Sequence, residues 1–149
     1  MDESQGRAID AIRDAIAGRP RDGALAEAAR VLQALPRYTG VYLYALEGDA
    51  LVLRAHAGRD TEHVRIPLGR GLCGLSARTG QAVVVDDVKS DPRYLACNLE
   101  TRSEIVVPVR RGERYLAQID VDSDFPAAFG AGDRAFLGEV ARRLEPLFS

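Results

Sequence analysis

Two strands joined by a tight turn, 103–110 and 114–122, constrain this chain more than any other stretch. Ser103-Glu104-Ile105-Val106-Val107-Pro108 is rich in β-branched residues, and Ala117-Gln118-Ile119-Asp120-Val121-Asp122 alternates apolar and polar side chains. Arg111-Gly112-Glu113 joins them. Side chains alternate faces along a strand, so Ile119 and Val121 point into an apolar layer while Asp120 and Asp122 share the opposite face. Ala96-Cys97-Asn98 precedes the hairpin in a loop. A thiol and three carboxylates, Cys97, Glu104, Asp120 and Asp122, are thus concentrated in one hairpin and its approach. Two like charges on one face repel, and a cation, a proton or a metal has to offset them. That is the first mark of a site.

The rest of the composition narrows the setting. A chain of 149 residues, 46% hydrophobic and 28% charged, suits a single globular domain with an ordinary core. Its net charge of −2 offers no electrostatic footprint for nucleic acid or an anionic membrane. No apolar run reaches the roughly 18 residues of a membrane span. The start, Met1-Asp2-Glu3-Ser4-Gln5, is acidic and polar, unlike a signal peptide. With two cysteines and no export signal, the expected compartment is the reducing cytoplasm.

In chain order, Ser4 to Gly18 reads as a helix with Ile9, Ile12 and Ile16 on one face. Asp22 is expected to cap a second helix, with Leu25, Ala28, Ala29, Leu32 and Leu35 on its apolar face and Pro36 at its end. These leading helices occupy 1–36. Val41 to Leu46 and Leu51 to Ala57 form a hairpin about Glu47-Gly48-Asp49-Ala50, and Val64-Arg65-Ile66 is a short third strand. Pro67-Leu68-Gly69-Arg70-Gly71-Leu72-Cys73-Gly74 reads as a loop whose amides can face an anion, followed by a short helix over Leu75 to Thr79. It lacks the lysine and Ser/Thr of a nucleotide P-loop. Ala82 to Val85 is a strand, then come the two long strands, and Asp133 to Leu147 is a final amphipathic helix. Hairpins rather than βαβ repeats make the chain α+β, with a central, mostly antiparallel sheet of about six strands flanked by helices.

The chain resembles a GAF domain and, more narrowly, the GAF-fold free methionine-(R)-sulfoxide reductases. The resemblance covers 38–148 within one domain spanning 1–149. It is carried by Arg65-Ile66-Pro67-Leu68-Gly69-Arg70-Gly71-Leu72-Cys73-Gly74, Ala96-Cys97, Ser103 to Pro108, and Ile119-Asp120-Val121-Asp122-Ser123, in that order and spacing. Three positions depart from the family. His63 stands where a third cysteine is usual, ten residues before Cys73; Tyr38 replaces a tryptophan; Asn98 replaces an aspartate.

The resemblance implies an oxidoreductase. Cys97 would attack the sulfoxide sulfur, giving a sulfenic acid and methionine, and Cys73 would resolve it to a redox-active disulfide for a thioredoxin-type reductant. Glu104, Asp120 and Asp122 would bind the substrate ammonium, and one of them, by its place near Cys97 Glu104, would stay protonated and donate to the sulfoxide oxygen. Tyr38 and Tyr42 would wall the methylthio end. GAF-like domains often pair, so a homodimer is compatible with the resemblance. The competing reading is a GAF module that senses a small ligand without turnover. A sensor is expected to work beside an output domain, and this stretch reads as one domain. Metal chemistry has little sequence support: His56 and His63 are seven apart, and there is no CxxC or HxxxH pair. No metal or cofactor is expected.

Overall fold

Asp2 starts the first helix. Its carboxylate accepts the Gln5 amide at 2.8 Å, while the Gln5 side chain accepts the Asp2 amide at 3.1 Å, a reciprocal cap. In the computed structural model, which describes residues 1–94 and 100–148, this helix is α1 (Glu3–Gly18). Pro20 then takes the cap position of α2 (Arg21–Gln33). Asp22 falls in the first turn instead of capping, where its charge still meets the positive end of the helix. The helix also closes before Pro36, at Gln33. Both helices bury an apolar stripe, Ile9 and Ile12 on one, Leu25, Ala28, Ala29 and Leu32 on the other.

Six antiparallel strands follow: β1 (Gly40–Glu47), β2 (Ala50–Gly58), β3 (Arg65–Pro67), β4 (Val83–Val85), β5 (Ser103–Arg111) and β6 (Arg114–Ser123). They form one sheet in the order β3-β2-β1-β6-β5-β4. Pro67 sits at the end of the edge strand, where a missing amide costs no ladder bond. The helices α3 (Gly71–Thr79) and α4 (Ala131–Leu144) complete the chain, with short 3₁₀ turns at Val88–Ser90 and Glu145–Leu147. This is the α+β, GAF-like arrangement the sequence predicts.

The pleat divides the central strands into two apolar layers. Val41, Leu43, Ile105, Val107, Val109, Ile119 and Val121 pack with α1, α2 and α4, where Phe136, Leu137, Val140 and Leu144 are buried. Each such side chain contributes about 1.5–3 kcal/mol on leaving water. Tyr42, Tyr44, Leu51, Ile66, Leu72, Cys73, Val85, Val88 and Val106 form the layer on the other face, under α3. Strands β1, β5 and β6 are therefore covered on both sides.

One junction depends on a glycine. Gly58 ends β2 at φ +89°, a backbone region that L side chains avoid, and a Cβ there would run into the Thr39 carbonyl. Gly58→Ala is expected to lose about 1–3 kcal/mol of stability in a denaturant titration. An unchanged midpoint would show that the β1–β2 end relaxes freely.

Candidate functional site

The site grows from where the pleat sends the polar residues of β5 and β6. Asp122 stands opposite Glu104 on β5, and Asp120 stands opposite Val106 on β5 and Tyr42 on β1. These strands are covered on both faces, so the acids are covered too. Glu104, Asp120 and Asp122 are 4%, 2% and 2% exposed. Hydrophobic surroundings are a costly place for three carboxyls.

Helix α3 supplies the thiol. The helix begins at Gly71, four residues earlier than the sequence reading expects, so Cys73 lies in its first turn and not in a loop. Gly71 enters at φ +68°. Gly74 lets the helix close down on the chain before it, since a Cβ at 74 would stand 2.6 Å from the Leu68 carbonyl oxygen. The Gly74 amide donates to the Arg70 carbonyl and the Arg70 amide to Pro67. These two amides of the expected anion loop are thus occupied. The first-turn amides of Gly71, Leu72 and Cys73 have no acceptor within an α-helix.

Cys73 meets the acids directly. Its thiol donates to Asp120 Oδ2 at 3.3 Å, and Sγ and one oxygen each of Glu104 and Asp120 lie within 4.8 Å of one another. Burial, followed by the charges of Asp120 and Glu104, pushes the Cys73 thiol well above its usual range. Burial also raises Asp120, and burial together with the charge of Asp120 raises Asp122 well above the carboxylate range. Glu104 is close enough to share a proton with both, which eases each of them. Beyond that shared proton, no N–H or hydroxyl among the described residues donates to Asp120 Oδ1 or to either oxygen of Asp122.

A narrow cleft opens onto this cluster. It measures about 280 Å³ with its open mouth and is lined by Tyr44, His63, Ile66, Gly71, Leu72, Cys73, Glu104 and Asp120. His63 favours the ionised form of Asp120 by its charge. Arg59 likewise favours ionised Asp122, but its guanidinium is engaged by Asp124 at 2.7 Å and Glu100 at 2.9 Å. A wider groove of about 550 Å³ runs beside Arg21, Glu47, Arg54 and Arg114 on the far end of the sheet. Its lining has no thiol, and its one carboxylate, Glu47, pairs with Arg54.

The expected site residues distribute as follows. Cys73, Glu104, Asp120 and Asp122 come together. Tyr42 lies in the same layer, its hydroxyl donating to the Arg59 carbonyl at 2.6 Å and its ring stacked on His56. Tyr38 does not belong to the cleft. It lies in the layer under α4, its ring edge-on to Phe129 at 5.6 Å and its hydroxyl donating to Asp133 at 2.7 Å. Residue 38 precedes β1, so its place could not be read from strand alternation. The aromatic wall is Tyr44, whose hydroxyl donates to the His63 carbonyl at 2.7 Å. Tyr44 is two residues from Tyr42 and shares its face, a signal present in the period-two pattern. Cys97 lies outside the described residues, as do its neighbours in 95–99.

Comparison with known proteins places these features in a family. The family model for the GAF domain matches residues 21–146. The free methionine-R-sulfoxide reductase of Escherichia coli is 33% identical over 106 residues, 71% of this chain and 64% of that protein. Matches to the curated relatives span 59–67% of their length. Among solved structures, the type II free methionine-R-sulfoxide reductase of Thermoplasma acidophilum is 40% identical, with a TM-score of 0.83 over 91% of this chain and 94% of its own. The Neisseria meningitidis free methionine-R-sulfoxide reductase, solved in complex with its substrate, is 34% identical, with a TM-score of 0.88 over 99% of this chain and 92% of its own.

The buried acids have a pH signature. The folded Asp122 carboxyl holds its proton more tightly than the unfolded chain does, so wild-type stability falls as pH rises from the ordinary value of 3.8 through the raised folded value. Asp122→Asn removes this loss. It is expected to stabilise the protein by about 1–2 kcal/mol at neutral pH, with the gain vanishing toward and below pH 3.8. Paired urea titrations across pH check this; a pH-independent difference would contradict a buried, proton-retaining Asp122.

Proposed function

The chain belongs to the GAF domain family, among the free methionine-R-sulfoxide reductases, and from that premise we propose that it reduces free L-methionine-(R)-sulfoxide to L-methionine. The observation that carries the reading is the buried cluster of Glu104, Asp120 and Asp122 beside Cys73, in which Asp120 Oδ1 and both Asp122 oxygens, beyond the proton shared with Glu104, have no donor among the described residues. An ammonium group supplies both the charge and the N–H donors these oxygens lack. One carboxylate about 4 Å from an ammonium is worth roughly 4 kcal/mol at an effective dielectric near 20, before desolvation. The substrate carboxylate goes to the first-turn amides of α3 at Gly71, Leu72 and Cys73, where the helix dipole favours an anion. Tyr44 and Ile66 give the methylthio end an apolar wall.

The chemistry divides between two thiols. The Cys97 thiolate attacks the sulfoxide sulfur, and a carboxyl of the cluster, Glu104 in our assignment, protonates the oxygen, making sulfur more electrophilic. The oxygen passes to Cys97 as a sulfenic acid and methionine leaves. The Cys73 thiol then attacks the sulfenic sulfur, releasing water and forming the Cys73–Cys97 disulfide. An external dithiol of the thioredoxin type returns both thiols at the expense of its own disulfide, in a reducing, cytoplasmic setting. Burial, and after it the acids that bind the ammonium, keep Cys73 protonated, so it does not compete with Cys97 for the sulfoxide. With His63 in place of another cysteine, Cys73 alone resolves within the chain.

Cys97→Ser is expected to abolish methionine release without unfolding the protein, because a serine hydroxyl is a poor nucleophile at neutral pH. Cys73→Ser is expected to release about one methionine per chain and then stall with thioredoxin as reductant. Normal turnover by folded Cys97→Ser removes the assignment of the nucleophile, and full thioredoxin-linked turnover by Cys73→Ser removes that of the resolving thiol. A ligand sensor would bind the sulfoxide and release no methionine from wild type.

Substrate form is a separate test. A peptide-bound or doubly blocked sulfoxide has neither ammonium nor carboxylate, and leaves buried charge unneutralised at a cost of several kcal/mol. The kcat/KM for N-acetyl-methionine-sulfoxide amide is therefore expected to fall at least about a hundredfold below that for the free amino acid. Equal values would refute this pocket.

A further inference from the structure

The same cleft has the donor set of a metal site that no spacing in the sequence announces. Cys73 comes from α3, Glu104 from β5 and Asp120 from β6, and one donor atom of each lies within 4.8 Å of the other two. Tetrahedral zinc, with bonds of about 2.0–2.3 Å, holds its ligands roughly 3.5 Å apart. Cys73 Sγ and Asp120 Oδ2 already stand at 3.3 Å. A second observation points to a cation. Asp120 is 2% exposed, lines the cleft, and has in Oδ1 an oxygen that, beyond the proton shared with Glu104, no donor among the described residues reaches.

We propose that Cys73, Glu104 and Asp120 bind a borderline-soft divalent cation of the zinc class, and that this ion competes with the substrate ammonium. The donor types select the metal. One thiolate with two carboxylates suits zinc or cobalt, whereas calcium and magnesium take oxygen donors in larger number. On binding, the Cys73 Sγ–H bond breaks, its proton and the carboxyl proton that Glu104 shares with Asp120 pass to solvent, and Sγ–metal and carboxylate–metal bonds form with no change of oxidation state. The dication then faces three negative ligands, with the Asp122 carboxyl at the register position opposite Glu104. The remaining coordination position opens toward the His63 side of the cleft and takes water. Binding removes both the carboxylates that hold the ammonium and the thiol assigned to resolution, so metal and turnover exclude each other. The donor geometry is independent of the reductase reading, and the competition with the ammonium rests on that reading.

Cobalt(II) is the probe, added to protein kept reduced by a phosphine that leaves the metal available. The expected result is a thiolate-to-cobalt absorption band saturating at one metal per chain and displaced by zinc. The band is expected to persist in Cys97→Ser, to vanish in Cys73→Ser, and to need at least about tenfold more cobalt in Asp120→Asn and in Glu104→Gln. Circular dichroism confirms that each variant is folded, and the two carboxylate variants keep the test decisive if Cys73→Ser is not. No band, a band that survives Cys73→Ser or is lost in Cys97→Ser, or unchanged affinity in both carboxylate variants overturns the site. Methionine release from metal-stripped protein separates the two proposals. Release without a cobalt band defeats this inference alone, and a band without release defeats the reductase reading alone.

Discussion

Burial of β1, β5 and β6 on both faces governs this structure. A pleated strand has no neutral side. When Ile119 and Val121 enter the layer under α1, α2 and α4, Asp120 and Asp122 must enter the layer under α3. Glu104 follows by register, because its strand pairs it with Asp122. The acids are thus buried by the same geometry that buries the core, and a one-residue slip of β6 would exchange the two sets.

Helix α3 turns that buried acid face into a reactive one. Gly74 allows its close approach to the Leu68 carbonyl, and the approach sets the Cys73 thiol on Asp120. A helix N-terminus ordinarily lowers the pKa of a thiol. Here burial and two carboxyls outweigh the helix dipole, and Cys73 is held as a proton donor. The cluster keeps protons where isolated groups would release them, and Asp120 Oδ1 and both Asp122 oxygens lack N–H or hydroxyl donors among the described residues. Burying such a cluster lowers the stability of the fold.

Much of the architecture was legible along the chain. The hairpins, the α+β class and the apolar faces of α1, α2 and α4 follow from hydrophobic period, and each appears close to where the pattern puts it. Local boundaries were less legible. Asp22 looks like a cap, but Pro20 holds that position and the helix begins two residues earlier than the acid requires. Cys73 reads as a loop residue because Gly69, Gly71 and Gly74 crowd its neighbourhood, yet Gly71 and Gly74 serve the start and the packing of a helix. Tyr38 shows the limit of residue type as a guide, since an aromatic outside a strand carries no face assignment until Asp133 and Phe129 meet it.

The sequence by itself determined which residues share a face, because alternation is a property of the backbone and needs no partner. It placed Asp120 with Asp122 before any packing was known. Only the tertiary structure decided that these faces close against each other and against Cys73. That required register across three strands and the descent of α3, contacts between residues 31 to 47 positions apart in the chain, such as Cys73 with Glu104 and Asp120. Metal-type donors gathered from three elements leave no short motif, and the raised proton affinities of Cys73, Asp120 and Asp122 come from the loss of water around them. Desolvation is a property of the packed interior, which no stretch of sequence possesses alone.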